Sequence, residues 1–489
     1  MSEQKNHTPR THTVEKIGGT SIANTPVVLD NVLVGERTGA DLYNRIFVVS
    51  AYAGVTDQLL EHKKSGEPGV YGLFAGAQNK WAWSDAMTSV AEYMTAKNAE
   101  VFGDHPDREV ADSFVRERIE GARNCLIDLH RLCSYGQFRL DEHLATVREM
   151  LAALGEAHSA HNTALLLRQR DINAAFLDLT GWRDERKLTL DERIAEAVAP
   201  LDLASCLPIA TGYANCTEGM ISAFGRGYTE VTFSRLATVT GAREAVIHKE
   251  FHLSSADPKL VGADKVRKIG QTSYDVADQL SNMGMEAVHP KAAKGLRQAG
   301  IPLRVKNTFD PTDEGTAIDA DFAPDAPHAE IVTGLPSVYV LEVFEQDMLG
   351  VKGYDLEILK ALARHDIRIV SKSSNANTIT HYVDASRQVL ERVVADLESV
   401  FDSAEIGVSK AALVSVIGAD LDVPGLTARA ATALFEAGVT VCGVHKITRN
   451  VDLQIIVEEG EYAAAVKALH AALVEHDGAA MEHREPAAA

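Results

Sequence analysis

The chain has 489 residues, enough for two to four domains, and its 46% hydrophobic and 24% charged residues are ordinary for a soluble globular protein. Its formal net charge of -21 excludes nucleic acids and anionic membranes as expected partners, because such a surface repels both. The N-terminus is polar, the apolar runs are too short to cross a bilayer, and the five cysteines lack metal or disulfide spacing. These features predict a cytoplasmic protein.

Short apolar segments alternate with helical patterns over the first two-thirds of the chain. The second of these segments, RIFVVSA, is apolar on both faces, as buried parallel strands are. Alternation of this kind predicts a layered α/β domain on a largely parallel sheet. The predicted elements are strands at 13–17, 45–51, 174–179, 207–211, 244–248 and 301–306, a turn at 18–21, a helical segment at about 58–150, and helices at 229–240 and 273–283.

The last third of the chain contains a diverged internal repeat. Residues 310–336 are rich in Pro, Asp and Gly, which marks a connector or a domain edge. Beyond them, two copies each give a strand, a glycine-containing turn, a helix, two strands and a final helix. Such βαββ(α) units resemble a tandem pair of ACT domains, which are small amino-acid-sensing or dimerising modules. The alternative is two unrelated α+β modules. The predicted domains are 1–330, 337–405 and 411–478.

The strongest local feature is Lys16-Ile17-Gly18-Gly19-Thr20-Ser21, at the end of the first predicted strand. Glycines at such a place let backbone N–H groups approach phosphate oxygens, and a lysine supplies positive charge to a phosphoryl group in transit. The segment is not a Walker A loop, since GxxxxGK[ST] is absent from the sequence. By itself, the Gly-Gly pair also fits an ordinary turn.

Further motifs follow in order, and together with KIGGTS they resemble the aspartate kinases of the amino-acid-kinase superfamily. They are SAYAGVT at 50–56, Gly155-Glu156, Thr211-Gly212-Tyr213, GRGYTE at 225–230, Asp257-Pro258-Lys259 and His289-Pro290. The resemblance implies a three-layer αβα kinase domain with a mainly parallel sheet, followed by two ferredoxin-like ACT domains. It places Gly155-Glu156 at a helix start and His289-Pro290 at the close of a late helix. It also implies a homodimer or a larger oligomer.

The resemblance also assigns roles to individual residues. Glu156 can pair with an ammonium group and Arg226 offers a bidentate fork to a carboxylate, although alone they also fit a solvated helix residue and a structural turn. Thr229 is a plausible helix N-cap. The implied catalytic residues are Lys16 and Glu230; the aspartate-binding residues are Ser50, Thr56, Glu156, Arg226 and Thr229; the ATP-binding residues are Lys16, Gly18, Gly19, Thr20, His248, Lys249, Ser254 and Lys259; no metal is expected to be held by the protein.

The implied reaction transfers the γ-phosphoryl group of Mg-ATP to the β-carboxylate of L-aspartate and gives 4-phospho-L-aspartate. Mg²⁺ would arrive with the nucleotide. The carboxylate is already ionised at neutral pH, so no general base is needed. Catalysis then consists of positioning and of neutralising charge on the phosphoryl group.

Several positions depart from the family pattern on the ATP side. His248-Lys249 stand where most members have Thr-Asp, Ser254 replaces an aromatic residue, and Glu286 replaces a lysine. One hypothesis is a compensating exchange of charge between Lys249 and Glu286. The segments HTVEKIGGTS, EHKKSGEPGVY, GRGYTE and HLSSADPK resemble a branch of the family associated with ectoine biosynthesis.

Two other functions stay open at this point. One is another carboxylate kinase, such as a glutamate kinase, against which the tandem ACT tail argues. The other is a non-catalytic amino-acid sensor, which the unusual residues at 248, 249 and 286 favour and the retention of Lys16 opposes. The ACT pair itself fits either effector binding or dimerisation.

Overall fold

The computed structural model of the chain describes residues 11–63, 65–76, 81–285 and 288–475, apart from the side chain of Arg226. Contacts divide the chain into two units. The first contains Met1–His252 and Val288–Ala320, and the second contains Leu253–Ala287 and Asp321–Ala489. Within the described ranges, no helix combines the length and the apolar character that crossing a membrane requires.

The regular elements follow one another closely along the chain. The strands are β1 (Thr13–Ile17), β2 (Arg45–Val49), β3 (Ala174–Leu177), β4 (Leu207–Thr211), β5 (Glu244–Lys249), β6 (Gln271–Ser273), β7 (Leu303–Asn307), β8 (Thr316–Asp319), β9 (Ile331–Phe344), β10 (Arg368–Ser374), β11 (Thr378–Asp384), β12 (Glu405–Ile417), β13 (Val441–Lys446) and β14 (Asp452–Val457). The α-helices are α1 (Gly19–Ala23), α2 (Thr25–Val28), α3 (Val55–Leu59), α4 (Val70–Gly76), α5 (Ala82–Phe102), α6 (Asp107–Cys133), α7 (Leu144–Arg168), α8 (Leu190–Val198), α9 (Met220–Phe224), α10 (Tyr228–Thr240), α11 (Pro258–Val261), α12 (Tyr274–Asn282), α13 (Pro290–Gln298), α14 (Tyr354–Arg364), α15 (Arg387–Glu398), α16 (Leu426–Glu436) and α17 (Tyr462–His470).

The first unit is built on a mainly parallel sheet, as predicted. Its strands lie in the order β3-β4-β2-β1-β5-β7-β8, and each pair is parallel except β7 with β8. Every residue of the central strands β1 (TVEKI) and β2 (RIFVV) is buried, including the charged side chains of Glu15, Lys16 and Arg45. All six strands predicted in this region are present, and α3 to α7 confirm the predicted helical segment.

Helices cover both faces of this sheet. Because neighbouring residues of a strand point to opposite faces, the side chains of Lys16 and Glu15 in β1 lie on the two different faces of the sheet. On the first side Lys16 contacts Glu230 of α10. The second side includes Phe176 of β3, which the strand register places in line with Glu15, and its ring contacts His161 of α7. The unit therefore has the predicted three layers.

The predicted turn at 18–21 is wrong, because β1 leads directly into a helix. Gly18 is extended, and its carbonyl accepts the Ile22 N–H at 2.9 Å, which starts α1. A Cβ at Gly19 would lie 2.6 Å from the carbonyl oxygen of Ala51, so only glycine permits this close approach of the two backbones. The sequence shows the positions of the two glycines, but it does not show which part of the backbone packs against them.

The second unit contains one antiparallel sheet in the order β10-β11-β9-β12-β14-β13. Residues 338–344 of β9 pair with 405–411 of β12, and residues 331–335 pair with 413–417. The first half of β12 is thus the fourth strand of the first βαββαβ module, and the first half of β9 completes the second. Two ferredoxin-like modules are confirmed, and they share their two longest strands.

Each module has its own apolar core. In the first, α14 and α15 pack on the sheet through residues such as Ile358 and Leu390. In the second, α16 and α17 contribute Leu434 and Leu469. The repeat in the sequence therefore reflects two separate cores along one continuous sheet.

Candidate active site

A buried ion pair joins the end of β1 to the first turn of α10. The Lys16 ammonium donates to Glu230 Oε1 at 2.9 Å, and the two side chains are 11% and 10% exposed. Lys249, the last residue of β5, places its Nζ 4.0 Å from the same oxygen. Burial alone would raise the pKa of Glu230, but the two ammonium groups and hydrogen bonds lower it to about 2. The carboxylate is therefore ionised and holds two cations at one point.

The start of α13 also fixes Glu230. The backbone N–H of His289 donates to Glu230 Oε2 in a short hydrogen bond. His289 is the N-cap of α13 and Pro290 its first residue, so the expectation that this pair closes a helix is wrong. Proline is favoured at the first helical position because the N–H it lacks would have no partner within the helix.

Glu156 lies in the middle of α7 and not at a helix start as expected. The surrounding run LAALGEAHSAHNTALLL is buried almost throughout, so the helix continues on both sides of the residue. Thr229 is not an N-cap, since Gly227 holds that position in α10. The Thr229 hydroxyl instead donates to Glu156 Oε1 at 2.7 Å, a hydrogen bond strengthened by the charge of the carboxylate when it is ionised.

The environment of Glu156 disfavours its ionised form. Burial raises its pKa to about 8, although the Thr229 hydroxyl and the Lys16 ammonium act in the opposite direction. Its second oxygen, Oε2, is buried and has no hydrogen-bond partner within the part of the chain that the structure describes. A ligand with a positively charged hydrogen-bond donor next to Glu156 Oε2 would donate to this oxygen. It would also supply the positive charge that stabilises the ionised carboxylate.

The loop after β2 approaches the same helix. The Ser50 carbonyl accepts the Ser159 hydroxyl of α7 at 2.8 Å, and Thr56 is half-buried in the first turn of α3. A Cβ at Gly155 would lie within 2.9 Å of side chains of this loop and of α3. The sequence-predicted residues Lys16, Glu156, Thr229 and Glu230 are thus brought together, with Ser50 and Thr56 on the neighbouring loop.

His248 is not brought to this cluster, because it points to the opposite face of the sheet from Lys249. Its Nε2 lies 2.8 Å from Glu15 Oε2, and Arg45 Nε donates to Glu15 Oε1 at 2.8 Å. The arginine also donates to the carbonyls of Leu33 and Val32. Glu15, Arg45 and His248, together with Val32, line a cavity of about 1100 Å³ on that face. We therefore assign His248 to a buried structural network.

The other predicted residues divide into three groups. Gly18, Gly19 and Thr20 lie at the start of α1, and space is open beside Gly18, where a Cβ would meet no atom within 4 Å. Ser254 and Lys259 belong to the second unit, where the Ser254 hydroxyl donates to the Ala256 carbonyl at 2.8 Å. The Arg226 side chain and Glu286, with its proposed exchange of charge, lie outside the described residues.

Sequence reasoning missed two clusters near the carboxyl ends of the strands. His252, Asp310 and Asp313 each offer one ligand atom within 4.8 Å of the others, after β5 and β7. Glu149 of α7 accepts the Tyr213 hydroxyl at 2.8 Å and the Ile221 N–H at 2.8 Å, which fixes the segment after β4. Neither cluster has a spacing in the sequence that would have signalled it.

The sequence of this chain is similar to those of known proteins along most of its length. The sequence model of the amino acid kinase family matches residues 12–307. A protein named Aspartate kinase Ask_Ect, from Stutzerimonas stutzeri (strain A1501), is 53% identical over 464 residues, which is 95% of this chain and 98% of that protein. The chain belongs to the amino acid kinase family, among its aspartate kinases.

Solved aspartate kinases share the fold at low identity. E. coli aspartokinase III in complex with lysine and aspartate superposes with a TM-score of 0.71 at 20% identity, over 95% of this chain and all of that one (100%). The same enzyme with aspartate and ADP gives a TM-score of 0.68 at 20% identity over the same shares. The kinase fold with its C-terminal ferredoxin-like modules is thus the aspartate kinase fold.

Proposed function

We propose that this chain phosphorylates the β-carboxylate of L-aspartate with Mg-ATP and gives 4-phospho-L-aspartate. The observation that carries the proposal is the convergence of the Lys16–Glu230 pair with Glu156 and Thr229. The Lys16–Glu230 ion pair, which could bind a phosphoryl group through the lysine, lies beside the buried carboxyl group of Glu156, which could bind an amino group. The 53% identity to a protein named as an aspartate kinase supports the same substrate.

On the aspartate side, we assign the ammonium to Glu156 and the carboxylates to Arg226, Thr229, Ser50 and Thr56. Glu156 offers the unpaired Oε2. Hydroxyls and a guanidinium are the donors that carboxylates prefer. This grip would hold the β-carboxylate in line with the γ-phosphorus, where positioning contributes much of the rate.

On the ATP side, we assign charge neutralisation to Lys16, which Glu230 orients, and phosphate contacts to Gly18, Gly19, Thr20 and Lys249. Ser254 and Lys259 stay part of the proposal as further nucleotide contacts. The β-carboxylate attacks the γ-phosphorus, the bond to the bridging oxygen breaks, and ADP leaves with its Mg²⁺. Lys16 would stabilise the charge on the phosphoryl oxygens as they move.

Steady-state assays with purified protein test this proposal. L-aspartate with Mg-ATP should give ADP and, in the presence of hydroxylamine, aspartyl hydroxamate. L-glutamate should give a kcat/KM lower by about 10²-fold, because one more methylene displaces the reacting carboxylate. A glutamate kinase would show the reverse preference. Binding of aspartate without any ADP release would identify a sensor.

The different placement of His248 and Lys249 gives a second test. Lys249→Met should raise the KM for ATP by about tenfold or more, because it removes a cation within 4.0 Å of the Glu230 carboxylate. His248→Gln should leave that KM within about twofold, since the side chain contacts Glu15 on the other face. We expect His248→Gln to lower the thermal unfolding temperature instead. Equal effects of both variants on KM would contradict the assignment.

The wider biology is also part of this proposal. The sequence resemblance points to a dedicated supply of aspartyl phosphate for ectoine synthesis, and ectoine-pathway genes beside its coding sequence would support that role. We propose a cytoplasmic homodimer or larger oligomer assembled through the ACT domains, with domain boundaries at 1–330, 337–405 and 411–478.

A further inference from the structure

Glu156 is a buried acid without a counter-charge in direct contact. It is 2% exposed, one oxygen accepts the Thr229 hydroxyl, and the buried Oε2 meets no hydrogen-bond partner among the described residues. Among the residues whose side chains are described, no lysine, arginine or histidine forms an ion pair with it. A carboxylate that has lost its water is costly to ionise when the polar groups around it do not replace the lost hydration.

The titratable groups that face Glu156 come from β1 and α10. They are the Lys16 ammonium, which is already paired with Glu230 at 2.9 Å, and the Tyr228 hydroxyl. The segment after β4 adds only the backbone N–H of Tyr213, and α3 packs Val55 against the neighbouring Gly155. Burial outweighs these groups and raises the pKa of Glu156 to about 8.

We propose that Glu156 carries a proton in the free enzyme and releases it when the ammonium group of L-aspartate binds beside Oε2. The inference rests on the proposed function, because it takes L-aspartate as the ligand. The ammonium donates a hydrogen bond to Oε2 and supplies the missing positive charge, so the ionised carboxylate becomes the favoured form. The displaced proton passes to solvent, and the number of protons in the system is conserved.

The consequence is a pH dependence that belongs to the amino-group subsite. Below the pKa of the free enzyme, each bound aspartate must displace one proton, so its apparent affinity should rise about tenfold from pH 6 to pH 7. Above about pH 8 the carboxylate is already ionised, and the affinity should level off. The direction follows because protons and the substrate ammonium compete for the same carboxylate.

Isothermal titration calorimetry at pH 7, in buffers with different ionisation enthalpies, measures the proton directly. L-aspartate should release about 0.9 proton per site, the protonated fraction of an acid whose pKa is about 8. Succinate is the matched ligand, because it keeps both carboxylates and lacks the amino group. Binding of succinate should release no proton from Glu156. This comparison of two ligands uses the wild-type protein alone.

Glu156→Gln provides the protein control. Glutamine can still accept the Thr229 hydroxyl and cannot ionise, so aspartate should bind more weakly, without proton release and with an affinity independent of pH between 6 and 8. Equal proton release with aspartate and succinate, or a release that survives in Glu156→Gln, would overturn the inference. The same holds for aspartate binding without any release.

Failure of the proposed function looks different. If the wild-type enzyme neither binds nor phosphorylates L-aspartate, the substrate assignment itself is wrong. If it phosphorylates L-aspartate and takes up or releases no proton on binding, only the protonation of Glu156 is wrong. For aspartate affinities too weak for calorimetry, the KM for aspartate between pH 6 and pH 9, followed by ADP release, gives the same slope.

Discussion

Replacing Lys16 with methionine should lower kcat by about 10³-fold or more while the protein remains folded. The ammonium is the cation closest to the ionised Glu230 at the junction of β1 and α1, and methionine keeps the length of the side chain without its charge. Lys249, whose Nζ lies 4.0 Å from the same Glu230 oxygen, would remain but would not replace a charge at the position of Lys16. The measurement is kcat with saturating Mg-ATP and L-aspartate, together with a thermal unfolding curve.

Lys97→Met is the matched control for this change. Lys97 is as buried as Lys16, with 12% of its side chain exposed against 11%, but it donates to the Ala23 carbonyl and to Glu100. Its loss should affect the unfolding temperature and leave kcat within a few-fold. Comparable kcat in the two variants would show that Lys16 is a structural residue and would contradict its assigned role.

Replacing Glu15 with glutamine should destabilise the first unit by about 3–5 kcal/mol. Glu15 is 5% exposed and is the shared acceptor of Arg45, His248 and the Thr13 hydroxyl. Glutamine would leave the Arg45 guanidinium buried without its counter-charge, and a buried unpaired charge is costly. Denaturant or thermal unfolding of the full chain measures the loss.

The same change should alter the response to acid. Burial would raise the pKa of Glu15, but Arg45 and His248 together hold it well below the usual range. A carboxylate with a depressed pKa stabilises the folded state above the pKa of the unfolded chain, about 4.3, and this contribution disappears as pH falls through the lower, folded value. The difference between wild type and Glu15→Gln should therefore be full at pH 7 and shrink below about pH 4.

Glu391→Gln is the control for this second prediction. Glu391 pairs with Arg387 at 3.0 Å on the surface, where both side chains are largely exposed and water screens the charges. Its loss should not shift unfolding measurably. A small effect of Glu15→Gln, similar to that of the surface pair, would mean that the buried network contributes little to stability.

Local patterns in the sequence were sufficient to find most elements of the first unit. The strands at 13–17 and 207–211 have the predicted bounds, and both are buried along their whole length. The repeat of strand, glycine turn and helix predicted both ferredoxin-like modules. The order of the short motifs along the chain was enough to identify the family.

Other features depend on contacts between residues far apart in the chain. The expected helix start at Glu156 and the expected cap at Thr229 were wrong: Glu156 lies in the middle of α7 and Gly227 caps α10, and the two side chains meet in a hydrogen bond across 73 positions. The sharing of β9 and β12 was also invisible, since it depends on the register of two strands separated by a whole module. No local spacing encodes such pairings.

The Lys16 motif shows where sequence information ends. The sequence by itself predicted Lys16 near the end of the first strand, two residues before a pair of glycines; the alternation of side chains along a strand then requires Glu15 and Lys16 to point to opposite faces. Only the tertiary structure decided which face is which, by placing Glu230 beside Lys16 and Arg45 beside Glu15. Side chains alternate between the two faces of a strand because the strand repeats every two residues. Which helix covers each face depends on how the whole unit packs.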